Sequence, residues 1–108
     1  MGSRERLLDE DILQFLAEIG NKYSERMREF EGSEIEREGY LWALTEYAVE
    51  EIYKELSDFI DTLEVNYDKH RGYVEISIEL LDGRAFRLRV GHGCEVWKRE
   101  YTYFIKEC

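Results

Sequence analysis

Apolar residues in the first third of the chain recur at steps of three and four. Leu8, Ile12, Phe15, Leu16, Ile19, Tyr23, Met27 and Phe30 form one stripe of helical period. The spacing predicts a first helix over 9–30. Asp9 is its expected cap, and Glu10 and Asp11 suit the positive end of the helix dipole. Gly32 offers a stop, and Ser33 followed three residues on by Glu36 reads as a capping box. A second helix is expected over 33–63, with Leu41, Thr45, Ala48, Ile52, Leu56, Phe59 and Leu63 on one face. Trp42, Val49, Tyr53 and Ile60 widen that face on one side only. Such an arc needs two contacts: helix 1 and a sheet, or a sheet and another chain. The short break between the helices favours an antiparallel hairpin.

From Val65 the period drops to two. Val74, Ile76, Ile78 and Leu80 alternate with Tyr73, Glu75, Ser77 and Glu79. Phe86, Leu88 and Val90 alternate with Arg87 and Arg89. Between these runs lies Leu81-Asp82-Gly83. A three-residue loop with Gly83 in the left-handed region pairs Ile78 with Phe86, Ile76 with Leu88, Ser77 with Arg87 and Glu75 with Arg89. A two-residue loop would set Glu79 against Phe86, and parity rejects it. Val65 to Tyr67 predicts a strand before this hairpin, and Tyr101 to Lys106 a strand after it. Residues 91–100 fit either a turn with a short strand through Val96 and Trp97 or a looser connection. The expectation is one α+β domain over 1–108. Its N-terminal helical hairpin packs on one face of an antiparallel meander of about four strands over 65–107, in the order α-α-β-β-β-β.

Charge changes this picture by being uneven. Residues 1–64 hold 7 Lys/Arg and 18 Asp/Glu, a net of −11, and residues 65–108 hold 8 and 7, a net of +1, which together give the chain's −10. An acidic chain repels nucleic acid and anionic membrane and attracts basic partners. No run of residues is long and apolar enough to span a membrane, and the N-terminus has no apolar stretch of signal-peptide type. Cys94 and Cys108 are too few for a disulfide framework, so an intracellular, cytoplasmic chain is expected.

On the expected second helix, Glu36, Glu46, Glu50, Asp58, Asp61 and Glu64 face away from the core stripe, with Glu51 and Glu55 flanking them on one side and Lys54 the only cation. Carboxylates near a helix C-terminus and a Glu51/Glu55 pair at i, i+4 oppose helix stability. Their placement points to a strip that meets a basic protein surface, with Trp42 and Tyr53 adding contact area. A solvated face with no selected role explains the same charges. The leading functional expectation is a non-enzymatic binding module or inhibitor, of the class in which phage and viral proteins mimic nucleic acid. It needs no cofactor, binds no nucleic acid directly and sits on no membrane. The alternatives are a homodimeric structural or ligand-binding domain and a small enzyme. The enzyme would use the exposed sheet face or the Gly91-His92-Gly93-Cys94 loop. That loop has the residue types of a thiol nucleophile or half a metal site. A zinc site needs about four ligands, and neither helix holds the E-x-x-H element of a di-metal centre. No catalytic or metal residue is assigned.

Overall fold

A computed structural model describes residues 7–91 and 95–107 of the 108. Two helices, α1 (Asp9–Arg28) and α2 (Glu34–Leu56), precede five strands: β1 (Ile60–Asp68), β2 (Tyr73–Leu80), β3 (Ala85–Val90), β4 (Glu95–Glu100) and β5 (Tyr103–Lys106). The strands form one antiparallel sheet in sequence order. Both helices lie on one face of it, so the protein is an α+β fold with N-terminal helices packed on a meander. The meander has five strands rather than four. The stretch left open between 91 and 100 supplies β4, in which Leu88 pairs with Val96 and Arg87 with Trp97.

The β2–β3 hairpin has the register that side-chain parity demands. Ile78 faces Phe86, Ile76 faces Leu88, Ser77 faces Arg87 and Glu75 faces Arg89. Gly83 takes φ +94°, the left-handed conformation that closes a three-residue loop. The Leu80 N–H donates to the Arg84 carbonyl at 2.8 Å across the mouth of that loop.

Helix 2 ends seven residues earlier than its apolar stripe implies. Ser57 caps α2, the Phe59 N–H turns back to the Leu56 carbonyl at 2.8 Å, and Ile60 already lies in β1. The physical reason is a competition of periods. Leu63 continues the helical spacing from Phe59, but it equally begins the alternation Leu63, Val65, Tyr67. Pairing with Ile78, Ile76 and Val74 of β2 satisfies the backbone and buries that face, so the strand wins. Helix 1 also stops short, at Arg28, and Phe30 stacks on Tyr40 with ring centroids 5.1 Å apart.

The N-terminus of α1 departs from the expected cap. Leu8 holds the cap position, and no side chain caps it. Asp9 is the first helical residue. Its carboxylate accepts from Arg84 at 2.8 Å and pairs with Lys98 at 2.9 Å, so it fastens α1 to the sheet instead of closing its own helix. The Ser33 capping box forms in full: the Glu36 N–H donates to Ser33 Oγ at 3.2 Å, and the Ser33 N–H donates to Glu36 Oε1 at 3.0 Å.

α1 lies over β3 and β4, and α2 over β2 and β3. Ile12, Leu16, Ile19, Tyr23 and Met27 of α1 are buried with Leu41, Leu44, Ala48, Ile52 and Leu56 of α2. They close on Val74, Ile76, Ile78, Phe86, Leu88, Val90 and Val96 as one cluster. Neither helix is centred on β1, and its inward residues Leu63, Val65 and Tyr67 remain only partly buried.

Candidate functional site

The early end of α2 divides the acidic residues into three places. Glu46 and Glu50 stand exposed on the outer side of α2. Among the described residues neither has a cationic partner. Asp58 lies in the turn after the helix, and Asp61 is exposed on β1 at the bulge between Ile60 and Thr62. Asp61 and Glu64 therefore do not oppose the dipole of α2, whose last turn carries Lys54. Neither carboxylate is placed unfavourably at a helix end, contrary to the expectation from the helical stripe.

Glu51 is not part of a free strip either. It faces α1, where Lys22 Nζ sits 2.8 Å from both carboxylate oxygens and the Tyr23 hydroxyl donates to Oε2. Partial burial pushes the Glu51 carboxyl up, but Lys22 and Tyr23 outweigh it and hold it below its ordinary value. For Tyr23, burial comes first and the Glu51 carboxylate second, and together they push the phenol up to about 12. The expected Glu51–Glu55 repulsion is thus relieved by a cation from the neighbouring helix. Glu55 is exposed beside a shallow hollow formed with Leu7, Asp11, Phe15 and Leu56.

The two aromatic candidates lie on the side of α2 away from α1. Trp42 is 38% exposed and tilts against Tyr67 of β1, with centroids 5.7 Å apart. Tyr53 is 43% exposed. Tyr47, which the apolar stripe does not single out, is 56% exposed. An open hollow across the outer side of α2 is lined by Tyr23, Tyr47, Val49, Glu50, Glu51, Tyr53 and Lys54. Of the eight predicted site residues, the fold brings Trp42, Glu46, Glu50 and Tyr53 onto one exposed flank. It removes Glu51 to the helix–helix contact, and it places Glu55, Asp58 and Asp61 elsewhere. Tyr47 was detectable in the sequence as an aromatic opposite the core stripe.

The outer sheet face is built differently. Arg89 lies between the rings of Tyr73 and Trp97, its guanidinium carbon 4.4 Å from each centroid. The same guanidinium reaches Glu75 at 3.2 Å and Glu95 at 3.4 Å. Lys106 pairs with Glu95 at 3.3 Å, and Arg87 covers Phe104 at 3.8 Å. Arg99 reaches Glu79 at 3.5 Å and donates to the Gly83 carbonyl. Burial raises the Glu95 carboxyl, yet Lys106 and Arg89 together hold it below its ordinary range. This face is occupied by its own cross-strand pairs.

The His92-Gly93-Cys94 part of the candidate loop lies outside the described residues. Gly91 precedes it at φ +98°. Among the described residues no group of three or more His, Cys, Asp or Glu could hold a metal ion, and no helix is long and apolar enough to cross a membrane. No protein-family model, curated protein or solved structure matches this chain.

Proposed function

We infer that this chain is a non-enzymatic protein-binding module. Its outer α2 flank occupies a basic, nucleic-acid-handling surface of a partner, as inhibitors that mimic nucleic acid do. The observation that carries this reading is the company the carboxylates keep. Glu46 and Glu50 are exposed without cationic partners among the described residues, next to the exposed rings of Trp42, Tyr47 and Tyr53. Charge steers a basic partner to the flank, and the aromatics supply contact area once water is displaced. Elsewhere in the fold, carboxylates such as Asp9, Glu51, Glu75 and Glu95 are engaged by the protein's own cations. A ligand site on the outer sheet face is less well supported, because its charges already pair with one another.

The test is calorimetric titration against a panel of basic nucleic-acid-binding domains at rising salt. Binding that weakens steadily with salt, is displaced by nucleic acid and drops at least about tenfold in a Glu46→Lys/Glu50→Lys variant supports the reading. Binding that ignores salt, or survives that double substitution, removes it.

A further inference from the structure

Strand β1 is the long edge of the sheet. Its nine residues, Ile60–Asp68, pair with β2 on one side, and among the described residues nothing pairs with the other. Edge strands are ordinarily blunted by shortness, Lys, Pro, bulges or a covering element. The opposite edge, β5, is blunted in this way: it has four residues, and Lys106 is one of them. β1 has neither Lys nor Pro, its charges are the carboxylates Asp61, Glu64 and Asp68, and its bulge lies at its start, which leaves Leu63–Asp68 regular. Its inward side chains Leu63, Val65 and Tyr67 are also only partly covered.

The geometry points to a second copy of this chain as the occupant of that edge, with β1 pairing antiparallel to itself about a two-fold axis at Val65. The strand's own residues select this register. With Val65 opposite Val65 of the second copy, Leu63 meets Tyr67, Glu64 meets Asn66 and Thr62 meets Asp68. Each apolar residue faces an apolar one, and no two carboxylates stand opposed. At both ends of the seam Asp61 comes beside Lys69 of the other copy. A shift of two residues one way sets Glu64 against itself. The same shift the other way sets Glu64 against Asp68 twice. A shift of one residue turns the apolar face against the polar one. The assembly is a ten-stranded sheet, closed and isologous, with all four helices on one side. The α2 helices, each over β2 and β3, then stand about four strand spacings apart, roughly 19 Å, with the flanks bearing Glu46 and Glu50 still open.

Both copies are strongly acidic, so salt screens their repulsion and strengthens the pairing. This is opposite in sign to the salt effect expected for a basic partner, and the two readings therefore fail separately. The test uses the full chain in sedimentation equilibrium, and a Cys94→Ser/Cys108→Ser background for crosslinking. The expected result is a dimer that tightens with salt. Val65→Cys forms an intermolecular disulfide readily, and Asn66→Cys does not, because Asn66 faces Glu64 instead of itself. Asp61→Lys weakens association on the order of tenfold. Adding Lys69→Asp restores it, and both positions are exposed, so the fold is not at risk. Glu46→Lys/Glu50→Lys leaves the dimer intact. A chain that stays monomeric at high concentration and high salt overturns the proposal. So does a dimer that crosslinks through Asn66 in preference to Val65, or one that the paired charge reversal fails to restore.

Discussion

The Tyr23 hydroxyl of α1 donates to the Glu51 carboxylate of α2, and Lys22 closes on the same carboxylate at 2.8 Å. This polar contact joins the two helices at the edge of their apolar seam. A hydrogen bond to a charged acceptor at a part-buried site contributes more than a fully exposed ion pair. Tyr23→Phe is expected to lower unfolding free energy by about 1–2 kcal/mol, measured by chemical denaturation.

The same pair sets a pH window. The Tyr23 phenol is raised from 10.0 to about 12, so its contribution is complete below pH 10 and is lost as pH climbs toward 12. Glu51 is held below 4.5, so its contribution is present above that pH and is lost as the solution becomes more acid. Phenolate absorbance should therefore show a late step, toward pH 12, that Tyr23→Phe removes. In Glu51→Gln that late step should move toward ordinary values.

Arg84 has a side chain only 14% exposed, and it donates to the Leu7 carbonyl at 2.6 Å and to Asp9 at 2.8 Å. Arg84→Ala leaves the Leu7 carbonyl partly buried without its donor and leaves Asp9 with Lys98 alone. A loss of about 2–3 kcal/mol is expected in denaturant melts. Asp9→Asn keeps the shape but drops the charge shared with Arg84 and Lys98, and should cost about 1 kcal/mol. Burial raises the Asp9 carboxyl, Arg84 and Lys98 outweigh it, and the net shift is below 3.8, so this contribution is lost as pH falls below that value.

Gly83 and Gly91 separate backbone strain from crowding. Both have φ near +95°, at +94° and +98°. A Cβ on Gly83 meets nothing within 4 Å, whereas one on Gly91 stands 2.9 Å from Leu41 Cδ1 in the buried core. Gly83→Ala should cost about 1 kcal/mol, from conformation alone. Gly91→Ala should cost about 3 kcal/mol, because overpacking adds to the strain. Thermal melts of the two variants decide whether the gap exists.

Arg89 between Tyr73 and Trp97 supplies two ring contacts and two carboxylate contacts at once. Arg89→Ala should destabilise by about 2 kcal/mol. Arg89→Lys should recover only part of this, since an ammonium has neither the planar stack nor the fork. Trp97 fluorescence should report the loss of the stack in both variants.

Much of the fold is legible in short-range pattern. The change of period from 3.6 to 2, the parity across Leu81-Asp82-Gly83, and Ser33 with Glu36 specify the helices, the β2–β3 register and the start of α2. Each depends on residues a few positions apart, whose geometry the backbone dictates. The candidate flank is legible only in part. Trp42, Glu46, Glu50 and Tyr53 share a side of α2 because helical spacing puts them there.

The rest was decided by contacts that close long stretches of chain. Leu63 satisfies two periods, and only pairing with Ile78 of β2 makes it a strand residue, carrying Asp61 and Glu64 off the helix. Asp9 reads as a cap until Arg84, 75 residues on, reaches it. Glu51 reads as part of a free acidic strip until Tyr23, 28 residues earlier, comes into hydrogen-bond range. A side chain's charge and period are written locally. Whether that charge meets water or a counter-charge depends on which distant element packs beside it.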